Sequence, residues 1–137
     1  MAKMVSIPEN VQEFLKGKLG WISTASSTGV PNAVPKGSVR VLDDSHLMFA
    51  DLFSLKTRAN LKENPNVAVT VIDMETYAGY QIKGTVELVD SGPIFERMKE
   101  ELKKAPRPLP PPVYVVVIAV TDIFDQSLGP NAGKRIA

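Results

Sequence analysis

A chain of 137 residues with a formal net charge of +1 has the length of one domain and enough apolar material to bury a core. Near-zero charge provides no bulk field for nucleic acid or an anionic membrane, so any anion site has to be local. The lack of cysteine excludes disulfides, thiolate metal sites and cysteine nucleophiles, and the single histidine, His46, excludes a multi-histidine metal site.

The opening MAKMVSIPEN lacks the apolar stretch and small-residue cleavage site of a secretory signal. The longest apolar run, VYVVVIAV at 113–120, is far short of a membrane span. A soluble cytoplasmic protein is the expectation. Ser6 and Glu9 have the spacing of a capping box, and Val11, Phe14 and Leu15 then share one helical face. Gly17 and Gly20 end this first helix. WISTAS (21–26) reads as a strand, with Trp21 expected in the core, and STGVP (27–31) as a turn. NAVPKGSVRVL (32–42) is extended, with Pro35 and Gly37 arguing for an edge or a bulge. A turn at 43–45 leads to a third strand, HLMFAD (46–51).

Ser54 is placed to cap a second helix that runs to about Asn64, where Asn64-Pro65 stops it. Two strands follow, 66–73 and 80–90, joined by a turn near 75–79. Ser91 to Pro93 start a third helix carrying Ile94, Phe95, Met98 and Leu102 at helical spacing. The proline-dense APRPLPPP (105–112) reads as a stiff internal loop rather than a polyproline ligand, and the last strand covers 113–120 with an extension toward Phe124. Strands and helices do not alternate. The order predicts a mainly β (α+β) fold over residues 1–137: a six-stranded antiparallel barrel with peripheral helices.

Ser54, Lys56, Thr57 and Arg58 crowd the start of the second helix, an end that is already electropositive. Cations there oppose the helix dipole unless an anion joins them, and free N–H groups with lysine and hydroxyl donors make a phosphate or carboxylate seat. The alternative is a capping serine with solvated neighbours. Lys36, Ser38 and Arg40 alternate onto one face of the second strand, opposite Val39 and Val41, and would line a basic pocket if that strand lies beside the helix. His46, beside a turn, has no local partner that would make a triad or ligand set and reads as an ordinary surface histidine, and Asp122 and Asp125 lack the company of a hydrolytic carboxylate pair.

The order from Gly20 to Val71 resembles the N-terminal two-thirds of the pyridoxamine 5′-phosphate oxidase-like, FMN-binding split-barrel family. The resemblance rests on the Gly29-Val30-Pro31 turn, on Pro35 in the following strand, and on Ser54, Lys56, Asn60, Leu61, Asn64 and Pro65. IKGTVELV (82–89) is similar to the family's next, glycine-bearing strand. The resemblance implies a split barrel that pairs as a homodimer with FMN at the subunit interface. Lys56 and Thr57 would hold the phosphate, with Ser54 or Arg58 assisting. Val34, Pro35 and Lys36 would follow the ribityl chain and ring edge, and Ala50, Asp51 and Leu52 would border the isoalloxazine. Asn131, Lys134 and Arg135 of the tail would reach the partner's flavin.

True pyridoxamine phosphate oxidases carry a C-terminal segment rich in Arg, Trp and His that grips the substrate, and SLGPNAGKRIA (127–137) has nothing similar. The implied function is therefore an FMN-binding oxidoreductase or electron carrier with an unnamed redox partner. The alternatives are a deazaflavin-dependent reductase of the same fold and a non-enzymatic module for flavin or a small anion. The last strand, apolar at nearly every position, adds an expectation of its own: one face fills the barrel and a partner subunit covers the other.

Overall fold

The computed structural model describes residues 3–137. Three helices, α1 (Glu9–Leu15), α2 (Leu55–Glu63) and α3 (Pro93–Leu102), accompany seven strands. The strands are β1 (Gly20–Ala25), β2 (Pro31–Lys36), β3 (Arg40–Asp43), β4 (His46–Ala50), β5 (Asn66–Ile72), β6 (Gly79–Val89) and β7 (Val115–Asp125). They form one antiparallel sheet in the order β2-β1-β5-β6-β7-β4-β3.

The strand count is seven, not six, because the stretch read as one strand over 32–42 breaks at Gly37–Val39. β2 and β3 lie at opposite edges of the sheet, so these three residues cross from one edge to the other. The sheet therefore curls until its edges approach without pairing, and the barrel is split there. Pro35, which has no N–H to donate, sits on an edge strand where it interrupts no central ladder.

Inward residues of the curled sheet make the main core: Ile22, Leu47, Phe49, Val69, Val71, Ile82, Val116, Ile118, Val120 and Ile123, with Val11 and Leu15 of α1 packed on it. A second, smaller cluster joins Met48, Ala50, Val115 and Val117 to Met98, Ile94, Phe95 and Leu102 of α3. The outer face of β7 is thus covered by α3 of the same chain. This corrects the expectation that a partner subunit would cover it. The helical spacing of Ile94, Phe95, Met98 and Leu102 supplies an apolar face that reaches Val115 and Val117, and Val116 points the other way, into the barrel.

Two further expectations change. Ser6 does not cap α1; Pro8 occupies that place and no side chain bonds there. Residues Val5 and Ile7 instead donate to the carbonyls of Val120 and Asp44, so this segment is extended and tied to the barrel. Trp21 is 45 % exposed rather than core, because β1 turns Gly20, Ile22 and Thr24 inward and alternation sends Trp21 outward beside Pro35. Gly17, at φ +70°, ends α1 as expected.

Candidate functional site

The residues that the sequence marks as an anion pocket meet at the split of the barrel, delivered by β2, the β4–α2 loop and α2. Lys36, the last residue of β2, is only 9 % exposed. Its Nζ donates to the Leu52 carbonyl at 2.8 Å and to Ser54 Oγ. Ser54 Oγ donates onward to the same Leu52 carbonyl at 3.2 Å. Burial pushes the Lys36 amine below its ordinary range; Asp51 opposes that shift and Arg58 adds to it.

Ser54 stands at the N-cap of α2, but its side chain makes no capping bond, and the first turn of the helix contains no acidic residue. The serine is instead spent on holding Lys36. The leading N–H groups of α2, which no intrahelical carbonyl can satisfy, remain directed at whatever lies ahead of the helix. Lys56 is exposed in that first turn. Thr57 is buried, and its Oγ1 accepts from Asn32 Nδ2 at 3.3 Å, which ties α2 to edge strand β2. Asn60 Nδ2 donates to the buried Thr24 Oγ1 at 3.0 Å and fixes the helix to β1. At the far end, Asn64 accepts from the Asn66 N–H at 3.1 Å and turns the chain into β5.

Arg58 and Asp51 are committed to each other. The guanidinium forks onto the carboxylate, Nε to Oδ2 at 2.6 Å and Nη2 to Oδ1 at 3.0 Å, and Asp51 is 2 % exposed. A buried carboxylate needs such a bidentate partner. Ahead of α2, Phe53 adopts φ +54° and is 86 % exposed, with Leu55 exposed beside it.

A cavity of about 570 Å³ opens beside Lys36. Pro35 to Ser38 and Arg40 form one wall, Ala50 and Leu52 the floor, and Glu101, Leu102, Lys104, Pro106 and Leu109 the opposite side. Ser38 Oγ accepts the Ala50 N–H at 3.0 Å, which braces the crossing segment against β4. Arg40 and Glu101 pair across the wall at 3.2 Å.

The structure therefore brings Pro35, Lys36, Asp51, Leu52, Ser54, Lys56, Thr57 and Arg58 into one region, with Ala50 fully buried beneath them. Val34 turns inward and packs on the main core. Asn131 and Lys134 lie elsewhere: the tail folds back on the C-terminal end of β7 through a Phe124–Arg135 bridge and an Asp122–Arg135 ion pair at 2.5 Å. Ala50 pairs with Val115, at the opposite end of that strand. His46 bonds to Asp43 Oδ1 at 2.8 Å across the β3–β4 turn. Asn32, Glu101 and Lys104 went unmarked in the sequence. Asn32 shares a face of β2 with Val34 and Lys36, a signal that strand alternation carries; Glu101 meets Arg40 only through the fold. No group of three or more His, Cys, Asp or Glu side chains suited to a metal ion occurs among the described residues.

Among curated proteins the chain is 38 % identical over 136 residues to an uncharacterized protein of Methanocaldococcus jannaschii, covering 98 % of this chain and 90 % of that one. HupZ of Group A Streptococcus shares its structure at a TM-score of 0.81 and 28 % identity, over 93 % of this chain and 99 % of that one. An FMN-binding protein from Syntrophomonas wolfei (TM-score 0.69, 22 % identity, 86 % of this chain and 82 % of that one) shares the fold. So does an F420 reductase (TM-score 0.67, 22 % identity, 85 % and 98 %). The model of the pyridoxamine 5′-phosphate oxidase family matches residues 7–127, and the chain belongs to that family.

Proposed function

We propose that this protein is a flavin-binding oxidoreductase or electron carrier that holds FMN at the split of the barrel, with the phosphate at the start of α2. The observation that carries the reading is an open helix start: α2 has no side-chain cap and no acidic residue in its first turn, while Lys56 is exposed within it. A phosphate dianion is the ligand that this combination of N–H groups and ammonium stabilises most. Thr57 Oγ1 accepts from Asn32, so its own proton is left for a phosphate oxygen. Ser54 acts indirectly by fixing Lys36, and Arg58 by fixing the loop through Asp51.

Toward the ring, Lys36 supplies a cation on a rigid mount, where it favours negative charge on the ligand's near edge. Pro35 and Leu52 supply apolar flanks. FMN, when bound, supplies the redox chemistry, and the protein contributes orientation and local charge. The proposed assembly is a homodimer with the flavin ring between subunits. Its support is the exposed Trp21–Pro35 pair on the outer face of β1 and β2, next to the site. The Asn131 and Lys134 side chains of one chain would then have to meet the flavin held mainly by the other.

The test is a spectrum followed by a titration. Purified protein should be yellow with FMN absorbance; deazaflavin fluorescence would replace FMN in the proposal, and a protein that binds neither would leave an anion module. A charged hydrogen bond contributes about 1.5–3 kcal/mol, so Lys56→Ala should weaken FMN by roughly ten- to a hundredfold and leave riboflavin nearly unchanged. Equal losses for both ligands would remove Lys56 from the phosphate seat. Light scattering of the loaded protein should report twice the chain mass.

A further inference from the structure

A second cavity, of about 460 Å³, lies between the end of α3 and the proline strap that follows it, and contains none of the residues assigned above to the flavin. Its volume is that of a small-molecule site. It shares Leu102, Ala105, Pro106 and Leu109 with the cavity beside Lys36, so the two are neighbours across one wall. Its charged lining is cationic throughout: Lys99, Lys103 and Arg107, with no carboxylate. Glu96 and Glu100 reach Lys99 at 3.5 Å and Lys103 at 2.8 Å from outside the cavity, through exposed pairs three residues apart. Such surface pairs hold a lysine only weakly. Arg107 makes no salt bridge at all among the described residues. The strap adds two further features. Five of the seven residues 106–112 are proline, and proline has no N–H, so this wall offers flat ring faces and carbonyl oxygens. None of the carbonyls of residues 105–112 accepts a backbone hydrogen bond among the described residues.

A ligand that uses all three features is anionic, flat and equipped with N–H donors. We infer that the cavity binds a purine nucleotide unit, with its phosphate at Arg107, Lys99 and Lys103, its base against the proline rings, and its exocyclic amine donating to a strap carbonyl. A neutral aromatic would leave the cations unused, and a bare anion would leave the proline wall unused. A wall of five rings gives a bicyclic base more contact than a monocyclic one. The polyproline stiffness of the strap keeps this wall preformed, so little ordering cost falls on binding. A free mononucleotide and the mononucleotide half of a dinucleotide present the same chemistry. A role for the dinucleotide as redox partner of the neighbouring flavin rests on the reading proposed above; the binding itself does not.

The experiment titrates the full chain, with and without FMN, with AMP and with three probes that each remove one feature. Adenosine, without the charge, should bind about tenfold weaker or worse, and inosine monophosphate, whose amine is replaced by a carbonyl, about threefold weaker. Ribose 5-phosphate, without the ring, should lose about tenfold. Arg107 is exposed, so Arg107→Gln should keep the fold; it should weaken AMP by about tenfold and leave adenosine and FMN unchanged. Lys56→Ala should leave AMP unchanged, which separates this cavity from the start of α2. In the wild-type protein AMP should shift the amide resonances of Lys103, Arg107 and Leu109. NADH binding tighter than AMP would identify a dinucleotide, and equal or weaker binding a free mononucleotide; either result supports the site. Adenosine or ribose 5-phosphate equal to AMP, an AMP loss in Lys56→Ala instead of Arg107→Gln, or resonance changes confined to other surfaces would each overturn the inference. AMP bound as expected by a protein that binds no flavin would refute the flavin reading alone, and tight FMN binding without AMP binding would refute this inference alone.

Discussion

Replacing Lys36 by methionine isolates what a buried ammonium does at the split of the barrel. The side chain keeps its unbranched stem, so little volume is lost and the change is chiefly electrostatic. Two charge-assisted hydrogen bonds disappear, each with a net value of about 1.5–3 kcal/mol. Neither acceptor is orphaned, however, because Ser54 Oγ still donates to the Leu52 carbonyl at 3.2 Å. Against the lost bonds stands the penalty for holding an ion out of water, several kcal/mol in a real protein interior. Asp51 and Arg58 act on Lys36 with opposite sign, so their pair adds little to either side. The terms nearly cancel, and Lys36→Met should stay within about 1 kcal/mol of wild type, or roughly 4 °C in Tm for a chain of this length.

Linkage provides a second check on Lys36→Met. Burial lowers the folded-state pKa of Lys36 from its ordinary value of 10.5. Between that depressed value and the unfolded one, the unfolded chain keeps a proton that the folded chain has released. Wild-type stability relative to Lys36→Met should therefore rise with pH across that alkaline window. Thermal unfolding of both flavin-free proteins over a pH series measures this directly. A loss above about 3 kcal/mol at neutral pH, or a stability difference that falls as pH rises, would show that the ammonium is a net stabiliser and refute the reasoning. In flavin titrations Lys36→Met should weaken FMN and riboflavin alike, in contrast to Lys56→Ala.

Gly84→Ala should destabilise by about 1–3 kcal/mol in urea unfolding, because a Cβ there would lie 2.2 Å from the Ala119 carbonyl oxygen, at the register shift between β6 and β7; an unchanged midpoint would mean the strands separate freely. The tail should detach in acid: hydrogen bonds from Arg135, then Thr121, hold the Asp122 carboxyl below its ordinary range. A depressed carboxyl contributes its stability above the unfolded pKa and loses it as pH falls through the folded one. Hydrogen-exchange protection, relative to the intrinsic rate at each pH, of Ile136 and Ala137, whose N–H groups bond to the Ile123 carbonyl, should fall below about pH 4, and Asp122→Asn should show the same loss of protection at neutral pH.

Much of this molecule is legible one segment at a time. Alternation along Gly20–Ala25 and Asn66–Ile72, the helical spacing of Ile94 to Leu102, and the Asn64-Pro65 stop are consequences of backbone geometry within a few residues. The crowding of Lys56 and Thr57 at a helix start is equally local, so the proposed anion seat rests on residues that the sequence alone brings together. The errors share one cause. Ser6 matched a capping pattern, but its segment is recruited by carbonyls of Asp44 and Val120, far along the chain. Val115 and Val117 needed a cover, and only packing decided that α3, not a second subunit, provides it. The stretch 32–42 reads as one extended segment with Pro35 and Gly37 marking an edge or a bulge, yet closing the barrel required it to change edges at Gly37–Val39. The commitment of Arg58 to Asp51 and of Arg40 to Glu101 could not be foreseen either, since a cation's sequence neighbours do not reveal which carboxylate will be buried beside it. Local patterns determine what each segment prefers, because propensity and alternation act over a few residues. Which strand forms an edge, which face is covered and which charges remain free for a ligand are decided by contacts between distant residues, and those exist only once the sheet has curled.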